Sequence, residues 1–379
     1  MLVDGVMLSW VELDAAAFVS NIDSFRTLLP AEARVMVVVK ANAYGHGLRE
    51  IAPLAMRAGD WIGVNTIDEA QIASAAGDKP IAILGFSELE QSETIVRNGY
   101  RQVVYRLDAA EALSRAGITT GRTARIHLKI ETGTNRQGIA LQDIGSFLDS
   151  VRRLPALEIE GLYTHFANIE DTLDPSFAQL QLRRFREATA VFEKMGVRAS
   201  QIHAAATSGA LLYSETSFSM VRVGIGAYGI WPSRETHLAA RERGRSIQLW
   251  PVLTWKTRIA QVKNVPAGDY IGYGLTYQAS RPMRVAVLPL GYYDGYDRKL
   301  SNSARVLIRG QFASVIGRIA MNMTMIDVTD TPAENDDEVV LIGRQGEHEI
   351  RVEELAERCG TIPYEFLARI NPLTPRVIK

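Results

Sequence analysis

The stretch Val37-Val38-Val39-Lys40-Ala41-Asn42-Ala43-Tyr44-Gly45-His46-Gly47 joins an apolar, β-branched run to a lysine and a glycine-containing turn. Consecutive apolar residues are typical of a strand buried on both faces, and this strand delivers an ammonium group to its carboxyl end. The lysine can lie with its stem along apolar surface and its charge in water. Alternatively, desolvation lowers its pKa and makes it a Schiff-base nucleophile. Lys40 alone leaves both interpretations open.

Length, charge and cysteine content limit what the chain can be. Its 379 residues predict two domains, one of them large enough for a barrel. A formal net charge of −1 gives no general attraction for nucleic acid or an anionic membrane. The single cysteine, Cys359, excludes an intramolecular disulfide and indicates a reducing compartment. Acidic Asp4, Glu12 and Asp14 are unlike a secretion signal, and no apolar run is long enough to span a bilayer, so we expect a cytoplasmic protein.

Through the first part of the chain, short β-branched runs alternate with amphipathic segments. Eight strands alternating with helices over roughly 220 residues predict an α/β fold, a (β/α)₈ TIM-type barrel. An open doubly wound sheet is the alternative, but no GxGxxG motif follows the first strand. We predict that the barrel covers residues 1–236. Its predicted strands are 35–40, 61–65, 81–85, 102–105, 124–131, 158–165, 201–206 and 221–229.

The pattern changes after the charged segment 234–245, which we predict to be a linker. The following runs are strand-like and separated by Gly, Pro and Asp turns, and only residues 352–357 have a helical pattern. The sequence therefore predicts a second, mostly β domain over residues 237–379. Its predicted strands are 252–262, 284–291, 305–309, 313–328 and 338–343.

Polar side chains gather where the barrel strands end, the edge at which barrel enzymes carry their chemistry. Singly they have ordinary explanations: Arg136 as a solvated loop residue, His165 as a hydrogen-bonded core histidine, Thr207 as a helix N-cap. Together they predict a cavity lined by two lysines, two arginines and two histidines, which is costly to bury without a bound anion or mutual pairing. The residues are Lys40, Tyr44, Lys129, Arg136, His165, His203, Thr207, Ser208, Arg222, Gly224 and Ile225, the last three on the eighth strand.

Two short segments predict a phosphate site. Thr207-Ser208-Gly209 offers hydroxyls and amides at the start of a short helix, and Gly224-Ile225-Gly226 lets backbone amides approach an anion closely. Barrels often bind phosphate after strands 7 and 8. A lysine on the first strand opposite such a site is the layout that pyridoxal 5'-phosphate (PLP) requires. No metal site is predicted.

Eight segments form a specific set, above all KANAYGHG in the barrel with IGYGLTY and GYYDGY in the β domain. They are VVVKANAYGHG at 37–47, HLKIETGTNRQG at 127–138, GLYTHFA at 161–167, VRVGIGAYGIWPS at 221–233, KTRIAQVKNVPAGDYIGYGLTY at 256–277, LGYYDGYDR at 290–298, GRIAMNMTMIDVT at 317–329 and TIPYEFLARI at 361–370. In this order, over nearly the whole chain, the sequence resembles bacterial alanine racemases, which are PLP-dependent enzymes with an N-terminal barrel and a C-terminal β domain.

The resemblance implies interconversion of L- and D-alanine by two bases, with D-alanine supplied for peptidoglycan. Lys40 matches the lysine that bonds to PLP and acts as one base. Tyr273 matches the other base, which reaches the cofactor from the partner subunit of a homodimer with shared active sites. Two bases on opposite faces of a planar carbanion are what racemisation needs. Arg222 matches the donor to the pyridine nitrogen and His165 the link towards the tyrosine, whose pKa their positive charge would lower.

The remaining matches concern cofactor and substrate. Arg136 matches the arginine at the cofactor's phenolic oxygen and the substrate, and Lys129 matches a lysine that is often carbamylated, which would orient Arg136. Met321 matches the position whose amide helps hold the substrate carboxylate, and Tyr292 a tyrosine that narrows the pocket for a small side chain. Phosphate-binding positions are matched by Tyr44, Thr207, Gly224, Ile225 and Tyr364, and we add Ser208 to the cofactor-binding set.

Three positions depart from the family pattern. Glu131 stands where Asp is common, which can shift the following loop. Ala206 stands where Asn is usual, so a polar contact is either lost or supplied by Ser208. Asn322 stands where Asp is common, beside the predicted carboxylate pocket. The last two departures can change substrate preference.

Other functions remain to be weighed. A racemase with serine or broader preference is the first alternative. A PLP-dependent decarboxylase of the same architecture is less well supported, because that class pairs the pyridine nitrogen with a carboxylate, where this chain has Arg222. A PLP carrier built from the barrel alone leaves the β domain unexplained, and a cofactor-free aldolase barrel leaves Tyr273 without a role.

Overall fold

The computed structural model describes residues 7–379, so Asp4, part of the prediction about a secretion signal, lies outside the described residues. The chain divides into two compact units. The barrel unit comprises Ala16–Ala43 and Ile51–Trp250. The β unit comprises the described residues up to Ala15 together with Tyr44–Glu50 and Pro251–Lys379. Unlike the predicted division at residue 236, the β unit therefore includes two segments from the first part of the chain.

The strands, in chain order, are β1 (Ser9–Leu13), β2 (Arg34–Val38), β3 (Trp61–Val64), β4 (Ile81–Ile83), β5 (Arg101–Val104), β6 (Ala124–Lys129), β7 (Leu157–Tyr163), β8 (Gln201–His203), β9 (Met220–Val223), β10 (Leu253–Arg258), β11 (Gln261–Val265), β12 (Met283–Leu288), β13 (Arg305–Ile308), β14 (Gln311–Ser314), β15 (Thr324–Asp327), β16 (Glu338–Gln345), β17 (His348–Ile350) and β18 (Arg376–Ile378). The helices are α1 (Ala15–Arg26), α2 (Lys40–Tyr44), α3 (Leu48–Ala58), α4 (Ile67–Ser74), α5 (Ser92–Arg97), α6 (Leu107–Thr120), α7 (Ile144–Val151), α8 (Ser176–Lys194), α9 (Thr207–Leu212), α10 (Arg234–Glu242), α11 (Val352–Cys359) and α12 (Pro363–Ala368).

Eight parallel strands of the barrel unit pair in the order β9-β2-β3-β4-β5-β6-β7-β8. Hydrogen bonds beside the two end strands connect them: Ser219 N donates to Ile202 O at 3.2 Å, and Arg222 N donates to Ala205 O at 3.1 Å. Strands β3 and β9 are buried at every position, because side chains fill the interior while helices cover the outside. The predicted (β/α)₈ barrel is confirmed.

All eight barrel strands end one to six residues earlier than predicted, and this moves site residues beyond the ends of β2, β7 and β9. Strand β2 ends at Val38, β7 at Tyr163, β8 at His203 and β9 at Val223. After β2 the backbone turns left-handed, and after β9 Gly224 has φ −101° and ψ −104°, outside the range of a strand. Our placement of Lys40 and His165 at strand ends, and of Gly224 and Ile225 on the eighth strand, is therefore wrong. All four lie beyond the carboxyl ends of the strands: Lys40 begins α2, which is a left-handed turn, Ile225 begins a 3-10 helix, and His165 and Gly224 lie in the connecting segments.

The segment predicted as a linker folds instead as helix α10. Ser233 caps it, because its hydroxyl oxygen accepts from Thr236 N at 3.0 Å. Thr236, Ala239 and Ala240 are buried along one face, so burial of this face stabilises a helix whose other face is charged. The linker prediction is wrong because it rested on the charged residues of the segment and did not consider the helix cap at Ser233.

The β unit contains two sheets of its own. One has the order β14-β13-β16-β10-β1-β18 with β17 beside β16, and the other has the order β11-β12-β15. Strand β1 lies between β10 and β18, which explains why the start of the chain belongs to this unit. The mostly β prediction is confirmed, although helix α12 was not predicted and the run 313–328 is divided into β14 and β15 by a turn at Gly317, whose φ is +70°. Within residues 7–379, no helix combines the length and the apolar character that a bilayer crossing requires.

Candidate active site

Lys40 lies just beyond β2, at the start of a left-handed turn. The next three residues have φ of 53–54°, and each non-glycine residue in this conformation costs about 1–2 kcal/mol. The carboxylate of Glu69 holds the turn, because its oxygens accept from Ala41 N and from Asn65 N, each at 2.7 Å. The fold thus fixes the backbone from which the Lys40 side chain leaves, at a conformational cost.

Two lysines at this end of the barrel have lowered pKa values. Lys40 is exposed, yet desolvation by surrounding protein lowers its pKa, Arg136 and Arg222 lower it further, and Glu69 acts in the opposite direction. Lys129 is 3% exposed, and burial together with Arg136 and Arg222 lowers its pKa to about 8. Both lysines therefore have a larger neutral fraction than an ordinary lysine, and the neutral amine is the form that attacks a carbonyl carbon.

The loop that carries Arg136 folds around the carboxylate of Glu131. One oxygen accepts from Gly133 N at 2.6 Å, the other from Arg136 N at 3.3 Å, and the Thr134 hydroxyl donates to both. Desolvation would raise the pKa of Glu131, but the hydrogen bonds from the loop outweigh it and lower the pKa. The longer glutamate thus still organises this loop and places the exposed Arg136 at its end.

Arg222 is 4% exposed and enclosed by acceptors. Its Nη2 donates to the carbonyls of Thr164 and Ala204, each at 2.9 Å, and lies 3.2 Å from His165 Nδ1. Burial, followed by the charge of Arg222, lowers the pKa of His165 to about 3. His165 is therefore neutral and accepts from Arg222, so the structure brings these two predicted residues into direct contact. The expectation that His165 adds positive charge to that of Arg222 is wrong, because burial beside the guanidinium disfavours its protonated form.

The two segments predicted to bind phosphate also meet. Thr207 Oγ1 accepts from Gly224 N at 3.1 Å and from Gly226 N at 3.4 Å. The Ser208 hydroxyl instead donates to Glu170 Oε1 at 2.7 Å, so it is engaged by a carboxylate. The structure thus joins Thr207 to the glycine turn, whereas the hydroxyl of Ser208 has a different partner.

Tyr44 and Tyr364 lie together in the β unit, with ring centroids 6.2 Å apart. Gly45 allows this close packing, because its φ is +83° and a Cβ there would lie 1.9 Å from Leu367 O on α12. Arg376 Nη2 fixes the turn by donating to Gly45 O at 2.8 Å. The two tyrosines predicted to bind phosphate are therefore neighbours within this unit.

Tyr273, Tyr292 and Met321 also belong to the β unit and are exposed by 72%, 42% and 55%. Tyr292 and Met321 come from adjacent loops, because Tyr292 N donates to Ala320 O at 3.1 Å and Tyr293 N donates to Met321 O at 3.0 Å. Within residues 7–379, the hydroxyl of Tyr273 has no hydrogen-bond partner. A base supplied to another chain needs such accessibility.

Sequence analysis did not single out Glu69, Gln137 or His127. Gln137 Oε1 accepts from Lys129 Nζ at 3.2 Å. His127 precedes Lys129 by two residues on β6, and alternate residues of a strand share a face. This spacing could have predicted that His127 lies on the same face of the strand as Lys129. Glu69 accepts a hydrogen bond from Ala41 N in the turn after β2. Nothing in the sequence indicates that contact.

The electric field at the barrel mouth is positive. The charges of Arg222, Arg136, Lys129 and Lys40 all lower the pKa of His165, in that order after burial. Such a field stabilises an anionic ligand, and a neutral amine beside it suits a ligand with a carbonyl group. The donors present therefore fit a phosphorylated aldehyde.

Comparisons with known proteins identify the same family in both parts of the chain. The sequence model of the alanine racemase N-terminal domain matches residues 13–232, and that of the C-terminal domain matches residues 252–378. The chain is 40% identical to the alanine racemase of Symbiobacterium thermophilum over 376 residues, which cover 98% of this chain and 97% of that protein. It is 42% identical to the alanine racemase of Syntrophobacter fumaroxidans over 367 residues, covering 96% and 95%.

Solved structures of alanine racemases are similar to this chain over nearly its whole length. The alanine racemase of Streptomyces coelicolor A3(2) has a TM-score of 0.91 at 34% identity, covering 99% of each chain. That of Bacillus anthracis with bound L-Ala-P has a TM-score of 0.90 at 31% identity, covering 100% of this chain and 96% of that one. A histidine racemase from Leuconostoc mesenteroides subsp. sake has a TM-score of 0.89 at 27% identity, covering 99% of each. The same fold thus occurs in racemases named for different amino acids.

Proposed function

The chain belongs to the alanine racemase family and is an amino-acid racemase, and we propose that it interconverts L- and D-alanine with PLP by a two-base mechanism. The observation that carries the proposal is Lys40, an accessible amine with a lowered pKa in a field made positive by Arg136 and Arg222. A lysine whose pKa is lowered has a larger fraction of free amine, which serves both as a covalent attachment point and as a base.

The residues at the barrel mouth fit PLP, which when bound supplies a conjugated ring that makes the α-hydrogen of an amino acid acidic. Lys40 would hold the aldehyde carbon covalently, and Arg222 would donate to the pyridine nitrogen. Because an arginine keeps its proton, this contact does not protonate the nitrogen, and side reactions such as transamination are disfavoured. Phosphate would be bound by Thr207, the Gly224–Ile225 turn and the Tyr44/Tyr364 pair, with Ser208 contributing its amide rather than its engaged hydroxyl.

The two proposed bases act on opposite faces of the substrate. The Lys40 amine takes or returns the proton on one face, and the Tyr273 hydroxyl of the partner subunit does so on the other. Its 72% exposure supports use by a second copy of the chain. We therefore propose a homodimer with shared active sites, in which Arg222 and the neutral His165 extend towards the tyrosine.

The substrate is proposed to be small because Tyr292 would narrow the pocket, as the resemblance implies, beside Met321, whose amide would bind the carboxylate. Arg136 would contact substrate and cofactor, oriented by Lys129 once carbamylated. Asn322 is exposed next to Met321, which keeps a serine or broader preference as the second candidate. The resemblance supports a role of the D-alanine product in peptidoglycan synthesis in the cytoplasm.

Incubating the PLP-loaded protein with L-alanine in deuterium oxide tests the proposal. We expect exchange of the α-hydrogen and accumulation of D-alanine until both enantiomers are equal, and we expect Lys40→Ala to abolish both. Lys79→Ala, which changes an exposed lysine away from the barrel mouth, is the control and should retain activity. Release of carbon dioxide would indicate the decarboxylase, and faster exchange of L-serine would favour the second candidate.

A further inference from the structure

Behind Arg222, a line of buried polar side chains leads through the barrel interior, away from the candidate active site. Arg222 Nη1 lies 2.7 Å from His203 Nδ1, and His203 Nε2 lies 2.9 Å from His127 Nδ1. His127 Nε2 lies 3.5 Å from Glu160 Oε2, an electrostatic contact that is too long for a good hydrogen bond, and it has no other partner within residues 7–379. Arg101 binds Glu160 through Nε at 2.8 Å and Nη2 at 3.2 Å. We call these five residues the histidine network.

A hydrogen bond from the arginine at one end requires one particular arrangement of protons in this network. A guanidinium has only donors, so His203 Nδ1 must accept, and the proton of a neutral His203 is on Nε2. That proton donates to His127 Nδ1, which places the proton of His127 on Nε2, opposite the carboxylate of Glu160. Both imidazoles therefore have the same Nε2–H tautomer, and each donates away from Arg222.

Burial keeps both imidazoles neutral. His203 and His127 are fully buried, and desolvation lowers the pKa of each below the ordinary value. Desolvation would raise the pKa of Glu160, but His127 and Arg101 outweigh it and hold the pKa at about 2. The network therefore has an ionised carboxylate at its far end and two neutral rings between that carboxylate and Arg222.

The barrel is shaped to hold these rings. A Cβ at residue 161 would lie 2.5 Å from His127 Cγ, so only Gly161 leaves space for that ring. The pairing of β6 with β7 shifts register at His127. Tyr163 stacks on His203 with centroids 4.8 Å apart and planes 2° from parallel. These contacts fix the orientation of the rings, and the two ends of the network then fix their tautomers.

We propose that Glu160 is a positioning residue for Arg222, acting through His127 and His203 by selecting the tautomer in which His203 presents an acceptor to the guanidinium. In the other tautomer, an N–H of His203 would face an N–H of Arg222, and the buried arginine would lose this partner. The inference rests on the proposed function, because that function assigns Arg222 to the pyridine nitrogen of PLP.

The tautomers can be measured by ¹⁵N NMR of the histidine-labelled, PLP-loaded enzyme, since the chain has six histidines. Signals are assigned by replacing His127 and His203 singly. In the wild type, we expect both rings to be neutral with the proton on Nε2. A wild-type His203 with its proton on Nδ1 overturns the proposal, and this outcome needs no variant that must fold.

Glu160→Gln tests the cause, because it removes the negative charge that favours an N–H at His127 Nε2, so that the tautomers of both rings can reverse. We expect kcat to fall about tenfold, as for other partners that orient a ligating group. KM for alanine should stay unchanged, since Arg222 is assigned to the cofactor. Glu160→Asp keeps the carboxylate and should retain the wild-type tautomers. Glu158→Gln is the matched control, because Glu158 lies two residues away on β7 in an exposed pair and should change nothing.

Two results would contradict the inference: unchanged tautomers in Glu160→Gln, or reversed tautomers with unchanged kcat. If instead the wild type fails to racemise alanine while its tautomers agree with the expectation, the proposed function is wrong and the network stands. The tautomer and activity measurements therefore distinguish the two failures.

Discussion

Lys129→Met removes a buried cation without changing the length of the side chain much, and it should stabilise the cofactor-free protein. Lys129 is 3% exposed, and its pKa of about 8 shows that the folded protein disfavours its charged form. The folded pKa lies below the unfolded value of 10.5, so the folded state binds fewer protons between about 8 and 10.5. Wild-type stability therefore rises with pH through this window, and the destabilisation is fully present below it.

The size of the effect follows from the same values. A pKa lowered from 10.5 to about 8 corresponds to about 3 kcal/mol of destabilisation at pH 7. The substitution also loses the hydrogen bond from Lys129 Nζ to Gln137, which contributes about 1 kcal/mol. We therefore expect the variant to be more stable by about 2 kcal/mol at pH 7.

Urea unfolding followed by circular dichroism from pH 7 to 10.5, in carbon-dioxide-free buffer, measures this effect. The gain should shrink as pH rises, and Lys79→Met, at an exposed loop position, should follow the wild type at every pH. Bicarbonate should stabilise the wild type alone if Lys129 is carbamylated. If Lys129→Met is no more stable at pH 7 and its pH profile runs parallel to that of the wild type, the charge of Lys129 does not destabilise the folded protein.

Two further predictions concern the loops that position the site. Gly45→Ala should destabilise the protein by about 3 kcal/mol, because a Cβ there would lie 1.9 Å from Leu367 O. Gly99→Ala, also at positive φ but with no atom near the new Cβ, should cost only about 1 kcal/mol; equal losses in thermal unfolding would be inconsistent with the contact. Glu131→Gln weakens the charged acceptor of Gly133 N and should speed hydrogen exchange of that amide about tenfold, and an unchanged rate would exclude this role of the carboxylate.

The barrel could be predicted because several of its strands, among them β2, β3 and β9, are buried on both faces, and this burial requires continuous apolar runs such as Val35–Val39. The ends of these strands could not be predicted. The left-handed turn after β2 begins at Ala41, Asn42 and Ala43, where the sequence contains no glycine. That backbone is held by Glu69, which lies in the first turn of helix α4, so no local sequence pattern predicts the turn.

Within the site, residues on one strand or in one loop were easier to predict than partners from several strands. Arg136 and Arg222 were found because their surroundings in the sequence are distinctive. The contacts among Glu160, His127 and His203 join three strands, β7, β6 and β8, and each residue alone has an ordinary strand pattern. Strand β1 was missed for the same reason, because its partners lie at the other end of the chain.

In the proposed dimer, each active site combines Lys40 of one subunit with Tyr273 of its partner. The direct measurement is alanine racemisation after inactive Lys40→Ala and inactive Tyr273→Phe chains are mixed and allowed to exchange subunits. A heterodimer contains one site with both native residues, so random mixing should restore about one quarter of the wild-type rate. Absence of activity despite demonstrated heterodimers would contradict the claim and show that each site is built from a single chain.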